Sequence, residues 1–155
     1  MNSADVAKLA GIIAHRRQQT EVAKQKFETA YGMKSDDCEI GFLLGIVDAE
    51  LRLWKPTADV FIATASCLDA HQRQLTEEIA RIGASTAPPE RKARQIAKRE
   101  KQMRTDARMQ ATSWFNIAVS YFNLSQKAEA RAYAEKVSDD QEFGERAREI
   151  LNRIR

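Results

Sequence analysis

The sequence predicts an all-α protein, on three observations. Glycine and proline are scarce, 6 and 3 in 155 residues, so turns are few and the elements between them are long. Long elements rich in Ala, Glu, Lys, Arg and Gln favour helix. Apolar residues also recur at helical spacing: Trp114, Ile117, Ala118 and Tyr121 fall at i, i+3, i+4 and i+7. A chain of this length suits one domain with one continuous core. With 43% apolar and 30% charged residues it reads as globular, and its net charge of +3 does not by itself demand a polyanionic partner.

The clearest unit covers 111–144. Its first helix carries Trp114, Ile117, Ala118 and Tyr121, Asn123 to Gln126 break the pattern, and a second helix turns Ala130, Ala134 and Val137 inward. Small residues at Ala118 and Ala130 let two antiparallel helices approach. A similar unit covers 4–37, with Ala10, Gly11, Ala23, Phe27 and Ala30 at matching places. A third covers about 38–71, with Leu44-Gly45 in its first helix. Its second helix fits with Ala58, Ile62 and Ala65 inside if one residue is inserted in the turn from Leu53 to Thr57. Pro56 suits a first helical turn, where no amide donor is needed, and Thr57 is an alternative cap.

The segment 72–110 interrupts the repetition. Leu68, Leu75, Ile79 and Ile82 continue the stripe of the preceding helix, Gly83 to Pro89 is a turn, and Ala93, Ile96, Ala97, Met103, Ala107 and Ala111 run on into Trp114. An extended antiparallel hairpin of two helices is expected, the second about 35 residues and roughly 50 Å long. The alternative is an extra, degenerate repeat with a break near Thr105 to Arg108. The final stretch, 142–155, has Phe143, Ala147, Ile150, Leu151 and Ile154 on one face and reads as a capping helix.

The order Trp114, Ile117, Ala118, Tyr121, Ala130 resembles the tetratricopeptide repeat, whose units carry an aromatic, an aliphatic, a small residue, an aromatic and an alanine in that sequence. The second helix departs from the family: Ala134 stands where a large residue is usual, Val137 where alanine is, and Glu142 where proline is. The resemblance implies a helical-hairpin solenoid of three units, with the long hairpin inserted before the last. It also implies a non-catalytic scaffold that takes a peptide or amphipathic helix of another protein in a concave groove lined by the first helices. Carried over, the groove residues are Asp5, Lys8, Ile12, His15 and Arg16, then Glu39, Phe42, Ile46, Ala49 and Glu50, then Thr112, Phe115, Val119, Phe122 and Asn123. Phe42, Ile46, Phe115, Val119 and Phe122 are apolar there, as binding surfaces tend to be. Lys8 matches a carboxylate clamp that some members use, but Ile12 replaces its asparagine.

No catalytic, cofactor-binding or metal-ligating set is expected. His15 and His71 lack partners at ligand spacing, and Asp36-Asp37 and Asp139-Asp140 read as helix caps. Cys38 and Cys67 are far apart in sequence, so no disulfide framework is expected and both thiols should pack within helices. A basic run, Arg91, Arg94, Lys98, Arg99, Lys101, Arg104 and Arg108, offers an anion-facing surface. Without interleaved aromatics it reads first as a solvated face, with nucleic-acid binding as an alternative. A homo-oligomer through the long hairpin is the other alternative. No signal peptide or membrane-spanning run is read, which for a complete chain implies a cytoplasmic protein.

Overall fold

The structure is a computed structural model and describes residues 2–155. Among the described residues seven helices follow one another: α1 (Ser3–Arg16), α2 (Thr20–Met33), α3 (Cys38–Glu50), α4 (Trp54–Ala84), α5 (Pro89–Asn123), α6 (Lys127–Lys136) and α7 (Gly144–Arg153). Each helix packs on the next in chain order, and α5 also touches α3 and α7. Among the described residues there is no strand.

Three helix–turn–helix units share one local geometry. Gly11 lies against the ring of Phe27 and Gly45 against that of Phe61, so closely that an added Cβ would come within 2.5 and 2.6 Å of ring carbons. The step along the chain from Gly11 to Gly45 equals the step from Phe27 to Phe61, so the whole pair recurs as a unit. Backbone conformation repeats with it. Gln18, Arg52 and Ser125 are left-handed at φ 60, 57 and 60°. The amide that follows each one donates back across the turn, Gln19 to the Ala14 carbonyl, Leu53 to Asp48 and Gln126 to Tyr121. A left-handed residue in each turn reverses the chain over a short stretch, at a conformational cost of about 1 kcal/mol or more without glycine. The step from Arg52 to Ser125 carries the second unit onto the third, where Ala118 and Ala134 stand in the places of Gly45 and Phe61.

This repetition corrects the register expected for the second unit. No inserted residue is needed: Thr57, Phe61 and Thr64 hold the matching places and are buried; Ala58 and Ala65 are buried as expected, and Ile62 is only half-buried. The physical reason is the glycine, since the hollow at Gly45 accepts a whole phenylalanine ring. Thr57 is no cap either. It is buried, and its hydroxyl donates to the Leu53 carbonyl at 2.7 Å. Pro56 lies in the first turn of α4, where its missing amide costs nothing.

A second correction concerns the cysteines. Cys38 and Cys67 form a disulfide, with their Cα atoms 5.6 Å apart. Antiparallel packing of α3 on α4 sets Gly45 against Phe61 and Gly41 against Thr64. One turn further along the same register, residue 38 faces residue 67.

Between the second and third units α4 and α5 run on together as an antiparallel pair. α5 is unbroken over 35 residues, about 50 Å. Polar contacts mark the pairing: Lys92 Nζ to the Gly83 carbonyl, Arg99 to Glu78, Gln72 to the Met103 carbonyl, and His71 Nδ1 to Asp106 Oδ2. Leu68 and Leu75 are buried and Ile79, Ile82, Ile96 and Met103 half-buried, so the large apolar residues turn inward, whereas Ala93, Ala97 and Ala107 of the expected α5 stripe are exposed. Asp106 is buried but doubly held, since Gln102 donates to its other oxygen at 2.8 Å. The turn is shorter than expected, because α4 continues through Gly83 and Ala84.

The last helix closes the far side. Phe143, Ala147, Ile150 and Ile154 join Ala111, Phe115, Ala118, Ala130, Ala134 and Val137 in one apolar cluster. Asp37 caps α3, accepting from the Glu39 and Ile40 amides. Asp140 accepts from the Glu142 and Phe143 amides in the turn that precedes α7, whose own cap position is Phe143.

One buried acid stands out. Asp48 is 4% exposed in α3, and its Oδ1 has no hydrogen-bond partner. Burial pushes its pKa from 3.8 to about 6, opposed by the charge of Lys24 and reinforced by Glu28. The folded chain thus keeps a proton up to about pH 6 that the unfolded chain releases near pH 4. Stability should therefore fall as pH rises through that window. Asp48→Asn is expected to raise stability by about 1–3 kcal/mol at pH 8 and to change it little below pH 4. Urea titrations of both proteins at the two pH values check this, and a gain confined to the acid side would contradict it.

Candidate interaction face and its apolar cleft

α3 packs on α5 and α5 on α7, and side chains of α1 reach α3; the expected groove residues divide along these helices. At the α1–α3 end polar side-chain contacts join the two helices. Lys8 pairs with Glu39, and His15 Nε2 lies 2.8 Å from Glu50 Oε1. Ile12 and Ile46 are half-buried. Phe42 is committed to the core side, edge-on to Phe61 with ring centroids 6.0 Å apart.

At the α5–α7 end the surface opens. A cleft of about 180 Å³ is lined by Phe115, Val119, Phe122, Arg146, Glu149, Ile150 and Arg153. Three of these are expected groove residues at i, i+4 and i+7 on α5, which puts them on one stripe. Phe115 is the floor: it is buried, stacked on Phe143 at 4.8 Å, with the Arg146 guanidinium 4.6 Å above its ring. Val119, Phe122 and Ile150 make the apolar walls. Arg153 pairs with Glu149 at the rim, while Arg146 has no carboxylate partner among the described residues. No protein-family model matches this sequence. A search of curated proteins finds no match either.

Asn123 is not part of the cleft; it is exposed and donates to the Val119 carbonyl at 2.8 Å. Thr112 likewise donates to its own helix, at the Arg108 carbonyl. The α7 residues of the cleft escape sequence reasoning, which gives that helix only a capping role. A signal is there: Arg146, Ile150 and Arg153 follow at i, i+4 and i+7, a second stripe beside the buried one.

The basic run separates in the same way. Arg99 pairs with Glu78 at 3.3 Å. Arg108 is held by both Asp140 and Glu142, which raises its pKa and lowers that of Asp140. Both are therefore engaged within the fold rather than offered to an anion. Arg91, Arg94, Lys98, Lys101 and Arg104 are exposed, and Lys98 borders a cleft with Leu75 and Glu78 of α4. Among the described residues no group of three His, Cys, Asp or Glu side chains could hold a metal ion, and no helix is long and apolar enough to cross a membrane.

Proposed function

We propose that this chain is a non-catalytic protein-interaction module of the tetratricopeptide kind. On this reading it takes an amphipathic helix or extended peptide of a partner protein on the face formed by α1, α3, α5 and α7. The observation that carries the reading is the cleft, where Phe115, Val119, Phe122 and Ile150 present apolar surface that no other part of the fold fills. The recurring glycine–phenylalanine pair, the repeated left-handed turn and the contact of α3 with α5 support a stacked-hairpin arrangement. The paired α1–α3 end would then fix orientation and the open α5–α7 end would anchor an apolar side chain.

Phe115 supports the floor, so its replacement confuses binding with folding. Val119 and Phe122 are the better probes. Val119→Asp and Phe122→Asp are expected to keep their helical circular dichroism and to lose partners captured from the source organism by the tagged wild-type chain. Charge in a desolvated apolar wall should weaken capture at least about tenfold. Retention of every partner by folded variants would remove the proposal.

A further inference from the structure

One apolar stripe lies apart from the cleft. Val6, Leu9 and Ile13 are 52, 46 and 43% exposed, at i, i+3 and i+7 on the side of α1 directed away from α2. The internal repetition shows what such residues do elsewhere. The step that carries Gly11 onto Gly45 carries these three onto Ile40, Leu43 and Val47 of α3. Ile40 and Val47 are completely buried, and Val47 and Leu43 lie in the apolar cluster that α3 shares with the preceding unit. On α3 these places are covered by the second helix of the unit before. On α1 the same places carry the same residue types with no cover from the chain. Of the large apolar residues exposed beyond a third of their surface, these three lie on α1, Val22 and Met33 on α2, and Leu53 in the turn before α4.

Among the described residues no second helix is left over to cover it. α2 covers α3, α4 covers α5 and α6 covers α7. The stripe is, however, complementary to itself. Two copies of α1 laid antiparallel, with a two-fold axis beside Leu9 and Ala10, set Val6 of each against Ile13 of the other and Leu9 against its counterpart. The ends match in charge as well. Asp5 comes within about one turn of Arg16 and Arg17 of the second copy, and none of the three has an ion-pair partner in its own chain among the described residues. Lys8 is already tied to Glu39 and introduces no like-charge conflict.

We infer that the exposed face of α1 is a self-association surface that joins two copies of this chain through antiparallel α1 helices. The interface is isologous, closes at two subunits and leaves the α5–α7 cleft of each copy free. It stands whether or not the cleft binds a peptide.

Sedimentation velocity from low to high micromolar concentration is the direct test. The wild-type chain is expected to shift reversibly from monomer to dimer. Leu9→Asp is expected to weaken that association at least about tenfold, because dimerisation would desolvate an unpaired carboxylate. Leu9 lies at the surface, so the variant should keep its helical spectrum. Geometry is tested separately: Leu9→Cys should cross-link into a covalent dimer on mild oxidation, whereas Arg73→Cys on the hairpin should not. Monomer at every concentration would overturn the inference. So would open-ended assemblies, which signal a head-to-tail contact, or a dimer indifferent to Leu9→Asp.

Discussion

Loss of the Cys38–Cys67 disulfide is expected to lower stability by about 3–4 kcal/mol. The bond closes a loop of 29 residues, and cross-linking a loop of that size removes this much free energy of chain disorder from the unfolded ensemble. For a chain of this length the melting temperature should drop by roughly 8–15 °C. The measurement is thermal unfolding of the wild type with and without reductant, beside Cys38→Ser/Cys67→Ser. Thiol alkylation before and after reduction shows whether the bond is present. If both cysteines alkylate fully without reductant, the bond does not form under those conditions. If they are protected but reduction leaves the melting temperature unchanged, the loop argument fails. Disulfides persist in oxidising surroundings, so the protection state of these two residues in the source cell also reports on the compartment.

Phe61→Ala is expected to cost about 3–5 kcal/mol, the usual range for emptying a fully buried aromatic site. Gly45→Ala should cost about 1–3 kcal/mol despite alanine's better helix propensity, because its Cβ would meet three carbons of the Phe61 ring at 2.6 to 2.8 Å. The double variant is the informative one. Once the ring is gone, the added methyl enters vacated space, so Phe61→Ala/Gly45→Ala should be no less stable than Phe61→Ala alone. Gly83→Ala is the control. An added Cβ there would meet no neighbouring group within 4 Å, and alanine should stabilise by up to about 1 kcal/mol. Chemical denaturation of the four proteins decides the matter. Additive losses at 45 and 61 would mean that the glycine is not there to receive the ring.

Much of this is readable from the amino acids, and the limits have physical causes. Helix type and order follow from apolar spacing and from the scarcity of turn residues, signals local enough to survive in one sequence. Gly11 with Phe27 is visible as a small–large pair, and its repetition at Gly45 with Phe61 is obscured by Thr57 and Thr64. These threonines occupy inward places where apolar residues are the usual occupants, and that substitution shifts the apparent register by one. The disulfide escapes for the same reason. It depends on which residues of α3 and α4 face each other, a tertiary register that the spacing of two cysteines does not carry. In the face, Phe115, Val119 and Phe122 are found because they share one helix stripe. Arg146, Ile150 and Arg153 escape because a helix read as a lid offers no reason to inspect its second side. Arg99 and Arg108 look like part of a uniform basic run. Their partners, Glu78, Asp140 and Glu142, lie 21 to 34 residues away in sequence and only three-dimensional proximity reveals them.

The continuity of α5 has a mechanical consequence. A single rod of 35 residues carries the outer strut of the long hairpin at one end and the wall of the cleft at the other. No glycine or proline interrupts it after Pro89, so there is no joint at which a displacement could be absorbed. A force applied near Arg91 or Arg94 would be delivered along the helix axis to Val119 and Phe122. Whatever seizes the tip of the hairpin thereby gains leverage over the width of an opening roughly 40 Å away, at about 1.5 Å of travel per residue.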